Sequence, residues 1–143
     1  MKRLMLIGAL LIPALANAET VFVQQAKGHQ CVGDKFPISA PMEVLYADRE
    51  CKLPLVHAKD MRAYQVNIRA SNEPSRKHPA VAMDGCWGRL AGNSYVVVRE
   101  DGSQETMPPN AYVTASLSGD GTATVTKSPN QGTAFAQAME MCP

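Results

Sequence analysis

The chain has 143 residues, with 14 basic and 13 acidic side chains and a formal charge of +1. That balance carries no electrostatic footprint for nucleic acid or an anionic membrane. The length suits one domain that builds a real core.

Met1-Lys2-Arg3 forms a short positive start with no acid, and Leu4 to Leu15 is apolar apart from Gly8 and Pro13. Ala16-Asn17-Ala18 then places small residues at −3 and −1 of a cut before Glu19. This pattern predicts a cleavable export signal over residues 1–18, cut between Ala18 and Glu19. The apolar stretch is too short for the ~30 Å of hydrocarbon in a bilayer. It has no polar face, so it does not read as an amphipathic helix. No cysteine stands at the +1 position for lipid attachment, and no second long apolar run follows. The expected product is therefore periplasmic or secreted, without a transmembrane anchor. Removing residues 1–18 leaves 19–143, a single β-rich domain, and takes away Lys2 and Arg3. The 14 basic side chains become 12 against 13 acidic ones.

Glu19 to Gln25 sets Val21 and Val23 against Phe22, the alternation of a strand. Ala26 to Phe36 reads as a loop around Cys31. Ser39-Ala40-Pro41-Met42-Glu43 suits a helix start, with Ser39 as cap and Pro41 in the first turn. Val44-Leu45-Tyr46 reads equally as a strand. Met61 to Ala70 alternates Tyr64, Val66 and Ile68 with Gln65, Asn67 and Arg69, a half-buried strand. Ser71 to Pro79 is a polar loop whose Arg76, Lys77 and His78 read as a solvated cluster.

From Ala80 onward strands and turns alternate. Ala80 to Leu90 is a strand in which Gly85 marks a bulge or a close approach. Tyr95 to Glu100 is a central strand, because Val96, Val97 and Val98 are apolar on both faces. Asp101-Gly102 is the strongest hairpin signal, and Ser103 to Met107 returns before Pro108-Pro109. Ala111 to Leu117 and Thr122 to Lys127 form a further hairpin, with Thr122, Thr124 and Thr126 on a wet face. Thr133 then caps a short helix, where Phe135, Ala138, Met139 and Cys142 share one face, the expected core side. The whole predicts a mainly β domain, an antiparallel sheet of hairpins, sandwich or barrel-like, with one or two short helices.

Cys31, Cys51, Cys86 and Cys142 make an even count in an exported chain, which reads as two disulfides. Sequence proximity favours Cys31–Cys51. The helical face that carries Cys142 favours Cys86–Cys142.

Gly85-Cys86-Trp87-Gly88 is the most distinctive local motif. Neighbouring residues of a strand point to opposite faces, so a core Cys86 puts Trp87 on the other side. There Trp87, with Tyr95 of the next strand, is the candidate binding surface, unless further structure covers the indole. With the valine-rich strand and the Asp-Gly turn after it, the motif resembles small exported proteobacterial proteins that share a Gly-Cys-Trp strand. The resemblance spans Gly85 to Gly102 and carries no activity over.

Chemical motifs are sparse. A nucleophilic Cys86 needs a nearby base, and His29, His57 and His78 are scattered in loops. His29-x-Cys31 lacks a second pair at zinc spacing. Met139-x-Met141-Cys142 is sulfur-rich, but positions i and i+2 diverge on a helix, so copper is not expected. Hydrolase, phosphate-loop and metalloprotease motifs are missing, and the acid pairs Asp48/Glu50 and Glu100/Asp101 read as solvated. No catalytic residue, metal or other cofactor is expected. The resulting expectation is a non-enzymatic binding, inhibitor or accessory module for another envelope or extracellular protein. A structural component of an envelope or secretion assembly and a small thiol- or metal-dependent protein are the alternatives.

Overall fold

The computed structural model describes residues 18–68 and 81–142. Nearly all of the export signal, residues 69–70 at the end of the fourth predicted strand and the 71–79 loop lie outside that range. Nine strands form one antiparallel sheet: β1 (Glu19–Gln24), β2 (Lys35–Pro37), β3 (Glu43–Glu50), β4 (Arg62–Ile68), β5 (Val81–Leu90), β6 (Ser94–Arg99), β7 (Gln104–Met107), β8 (Tyr112–Leu117) and β9 (Thr122–Lys127). Their order is β2-β9-β8-β1-β3-β4-β5-β6-β7. One helix, α1 (Ala134–Ala138), follows.

The valine-rich strands of the middle are buried on both faces. Val21 and Val23 of β1 join Val44 and Tyr46 of β3, Val113 and Ala115 of β8, and Val125 of β9 in one cluster. Phe22 and Leu45, pointing the other way, belong to a second cluster with Tyr64, Trp87, Tyr95, Val97 and Tyr112. The second cluster shows that the sheet curls strongly. Tyr112 of β8 and Tyr95 of β6 are five strand steps apart in the sheet, ~24 Å if it were flat. Their ring centroids are 5.8 Å apart. The sheet therefore bends back until β6 meets the face of β8, a barrel-like enclosure of the second cluster.

The 39–46 segment resolves to a strand. The carbonyls of Pro41 and Met42, which a helix would use internally, accept instead from Asn67, through its side-chain Nδ2 at 2.8 Å and its backbone N–H at 2.7 Å. Gly85 is a close-approach point. A Cβ there would sit 2.5 Å from Tyr64 Cδ1 and 2.7 Å from the Val98 carbonyl oxygen. The carbonyl belongs to a paired strand and cannot retreat cheaply. Gly85→Ala is expected to destabilise by about 1–3 kcal/mol as an overpacking change, read as a lower urea midpoint at unchanged m-value.

The cysteines are all paired, but not as sequence proximity and the helical face suggested. The bridges are Cys31–Cys142 and Cys51–Cys86. Strand order explains the second. Cys51 follows β3, and β4 joins β3 to β5, pairing Arg62 with Glu50 on one side and Ala63 with Cys86 on the other. Cys31 lies before β2, which pairs with β9 at the far edge, and the chain after β9 leads to α1 and Cys142. The seven-residue face predicted for the last helix is also corrected. The helix has five residues, and Glu140 and Cys142 have φ of 51° and 55°, so the helical period stops before Cys142. Phe135 and Met139 are each 60% exposed, and Ala136 is the buried residue.

His29 is buried beside Cys31, 8% exposed, its ring centroid 5.2 Å from that of Phe36. Its Nε2 has no hydrogen-bond partner among the described residues. Burial lowers its pKa below the usual 6.5, against the opposing pull of Asp34 and of a hydrogen bond with the Gln24 backbone. The folded state thus binds this proton more weakly than the unfolded chain does. The associated stability is complete above pH 6.5 and is lost as pH falls through the lowered pKa. Urea titrations at neutral and mildly acidic pH are expected to show a smaller acid loss for His29→Phe than for the native chain.

Candidate functional site

Where β5–β6 curls over β1 and β8, the fold leaves a cleft of about 540 Å³. Its floor is aromatic, made by Phe22, Tyr95 and Tyr112. Phe22 and Tyr95 also meet Trp87, with centroid separations of 5.6 and 5.1 Å. Edge-to-face and tilted contacts of this kind add to the stabilisation from area alone. The rim carries Arg89 and Lys127 together with the neutral hydrogen-bonding side chains of Asn93, Asn110 and Thr114. No carboxylate lines this cleft among the described residues. Arg89 sits with its guanidinium carbon 5.8 Å from the Tyr95 centroid, within reach of a cation–π attraction.

A second hollow of about 390 Å³ shares Phe22 and Arg89 with the first and adds Arg62, Asp60 and Trp87. The two adjoin through these shared residues. Together they present Arg62, Arg89 and Lys127 against one acid, in a chain whose charges nearly cancel.

The floor is held from behind. Tyr112 donates to Glu43 Oε2 at 2.8 Å, and Tyr64 donates to Glu43 Oε1 at 2.6 Å. Arg99 donates to Glu43 at 3.1 Å and to Glu105 at 2.9 Å. Burial, and then the Glu43 carboxylate, raise the pKa of both phenols well above the ordinary tyrosine range. They stay protonated and serve as donors. The Tyr112 ring that lines the cleft is thereby tied to β3 through Glu43.

Trp87 and Tyr95, the two predicted binding residues, are 4% and 7% exposed. Trp87 is not an aromatic presented to solvent. Its indole N–H donates to the Tyr46 carbonyl at 2.9 Å, where the β3–β4 register is irregular between Leu45 and Glu50. Cys86 is fully buried on the opposite face. The structure does bring Trp87 and Tyr95 together, as linings of the two joined hollows. Phe22, Arg89, Asn110 and Lys127 escaped the sequence reading because they lie on four separate segments. One signal was present: Arg89 falls two positions after Trp87, hence on the same strand face, and pairs with Tyr95 across the hairpin.

A separate groove of about 510 Å³ places Glu50, Asp84 and Glu100 near Arg49 and Lys52. Arg49 is engaged there, paired with Glu19 at 2.7 Å and stacked 3.9 Å over Tyr46. All four cysteines are bridged, so neither Cys86 nor the Cys31 and Cys142 sulfurs are thiols. His57 is exposed beside Asp60 at 3.7 Å. Among the described residues no three His, Cys, Asp or Glu side chains cluster as metal ligands. No family model, curated protein or solved structure matches this chain.

Proposed function

We propose that this chain is an exported, disulfide-locked binding module. It acts without catalysis, by engaging another envelope or extracellular protein through the cleft between β5–β6 and β8–β1. The observation that carries this reading is the cleft itself: a concave surface with an aromatic floor and convergent polar groups, the usual composition of a binding site. Two bridges fit an oxidising compartment, periplasmic or extracellular. Among the described residues no helix is long and apolar enough to cross a membrane. A thiol-dependent role has no free cysteine to use.

The test is a photo-crosslinking amino acid placed at Asn110, on the cleft rim, and separately at Gln104 on the exposed side of β7. In the producing cells, Asn110 should yield a discrete protein adduct and Gln104 should not. Adducts from Gln104 alone would remove the cleft from the reading, and none from either would remove the partner.

A further inference from the structure

Resting on that binding reading, we propose that the cleft receives an extended acidic segment of the partner protein, one that alternates carboxylates with apolar side chains. The argument is charge and shape complementarity. Arg62, Arg89 and Lys127 are spread over two adjoining hollows rather than gathered at one point. A single small anion would engage one of these cations and leave the others unused. An extended chain puts successive side chains on alternate sides, so acids can meet the rim while apolar residues face the aromatic floor. Phe22 and Arg89, shared by both hollows, make the track continuous.

The concentration of cations is not a by-product of composition, because basic and acidic residues are almost equal in number. Arg89 also carries its charge without a carboxylate partner among the described residues, and its ring contact is with Tyr95. That leaves its hydrogen-bonding edge available for the paired contacts that guanidinium makes with carboxylates. Complementary charges of this type set specificity and association rate more than raw affinity. The binding should therefore be strongly salt-dependent.

The experiment titrates the disulfide-intact protein with a short synthetic peptide of alternating Glu and Leu, and with its Gln-Leu counterpart. Calorimetry at about 50 and about 300 mM salt brackets the change in charge screening. Saturable binding of the acidic peptide is expected. It should weaken by about tenfold or more for the neutral peptide, at high salt and in Arg89→Gln/Lys127→Gln. Circular dichroism and the urea midpoint of that variant should match the native chain, since both side chains lie on the rim. Equal binding of the two peptides, or unchanged binding by the variant, would overturn the proposal. So would tighter binding of an oligouronate or of inorganic phosphate, which would assign the cleft to a different anion. If no peptide binds while the Asn110 adduct still forms, the acidic segment is wrong and the binding reading stands. If neither occurs, both fall.

Discussion

Glu43→Ala is expected to cost about 3–5 kcal/mol of folding stability, the range for removing one member of a buried charged network. The reasons are local. Glu43 is the acceptor for two buried phenols, Tyr64 and Tyr112, and for one hydrogen bond from Arg99. Each phenol left without an acceptor costs about 1–3 kcal/mol. Arg99 is less affected, because it retains Glu105. Most of the loss should thus come from the phenols rather than from a stranded cation. For a chain of this size the change corresponds to a fall in Tm on the order of 10 °C.

The assignment can be separated from a simple cavity effect. Glu43→Gln keeps the volume and one carbonyl acceptor, so it should cost less than Glu43→Ala. Adding Tyr64→Phe to Glu43→Ala should then cost little more, because the phenol has already lost its partner. Strict additivity of the two changes would show that the hydrogen bond carries no coupling. Because the Tyr112 ring lines the cleft and its hydroxyl holds Glu43, the same variant should also weaken binding there.

The second large effect concerns the bridges. Cys31–Cys142 spans 111 residues and Cys51–Cys86 spans 35. On the chain-entropy account these contribute about 5 and about 4 kcal/mol. Replacing either pair with serine is expected to lower stability by amounts in that order. The local consequences should differ more than the totals. Cys51–Cys86 ties residues already joined through the β3-β4-β5 ladders, so its loss should leave those strands paired. The segment after β9 has less to hold it: α1 buries Ala136 and exposes Phe135 and Met139. Without Cys31–Cys142, amides around residues 133–142 should exchange rapidly while the sheet stays protected. A non-reducing digest should link the peptide containing Cys31 to the one containing Cys142. A Cys86–Cys142 or Cys31–Cys51 peptide would contradict the fold at both ends.

The strands were legible in the sequence because their signals are local. Alternation along 62–68 and the Thr122–Thr124–Thr126 face are period-two patterns, and Asp101-Gly102 marks its own turn. At both Asp-containing hairpins the side chain folds back on the turn: Asp101 accepts from Ser103 N–H and Asp120 from Thr122 N–H, each at 2.9 Å. The cysteine pairing was not legible. It depends on β2 joining the sheet beside β9, and nothing in the three residues Lys35-Phe36-Pro37 states that partner. The last helix was misread because periodicity does not reveal where a helix stops. Glu140 enters the left-handed region with no glycine to announce it.

The binding surface was half legible for the same reason. Trp87 and Tyr95 stand out as aromatic residues in adjacent strands. Their role as a shared interior wall follows only from the curl of the sheet, which brings β8 and its Tyr112 against β6. The positive rim is less visible still. Arg89 and Lys127 belong to different hairpins and look like ordinary solvated charges until the curl closes.

The most direct test of the cleft as the site of action is a chemical-shift map of the isotope-labelled, disulfide-intact protein during titration with the Glu-Leu peptide. The amides of Phe22, Arg89, Asn93, Tyr95, Thr114 and Lys127 should shift together and saturate at one equivalent. Shifts centred instead on Asp84 and Glu100, or on Phe135 and Met139, would place recognition elsewhere and contradict the account.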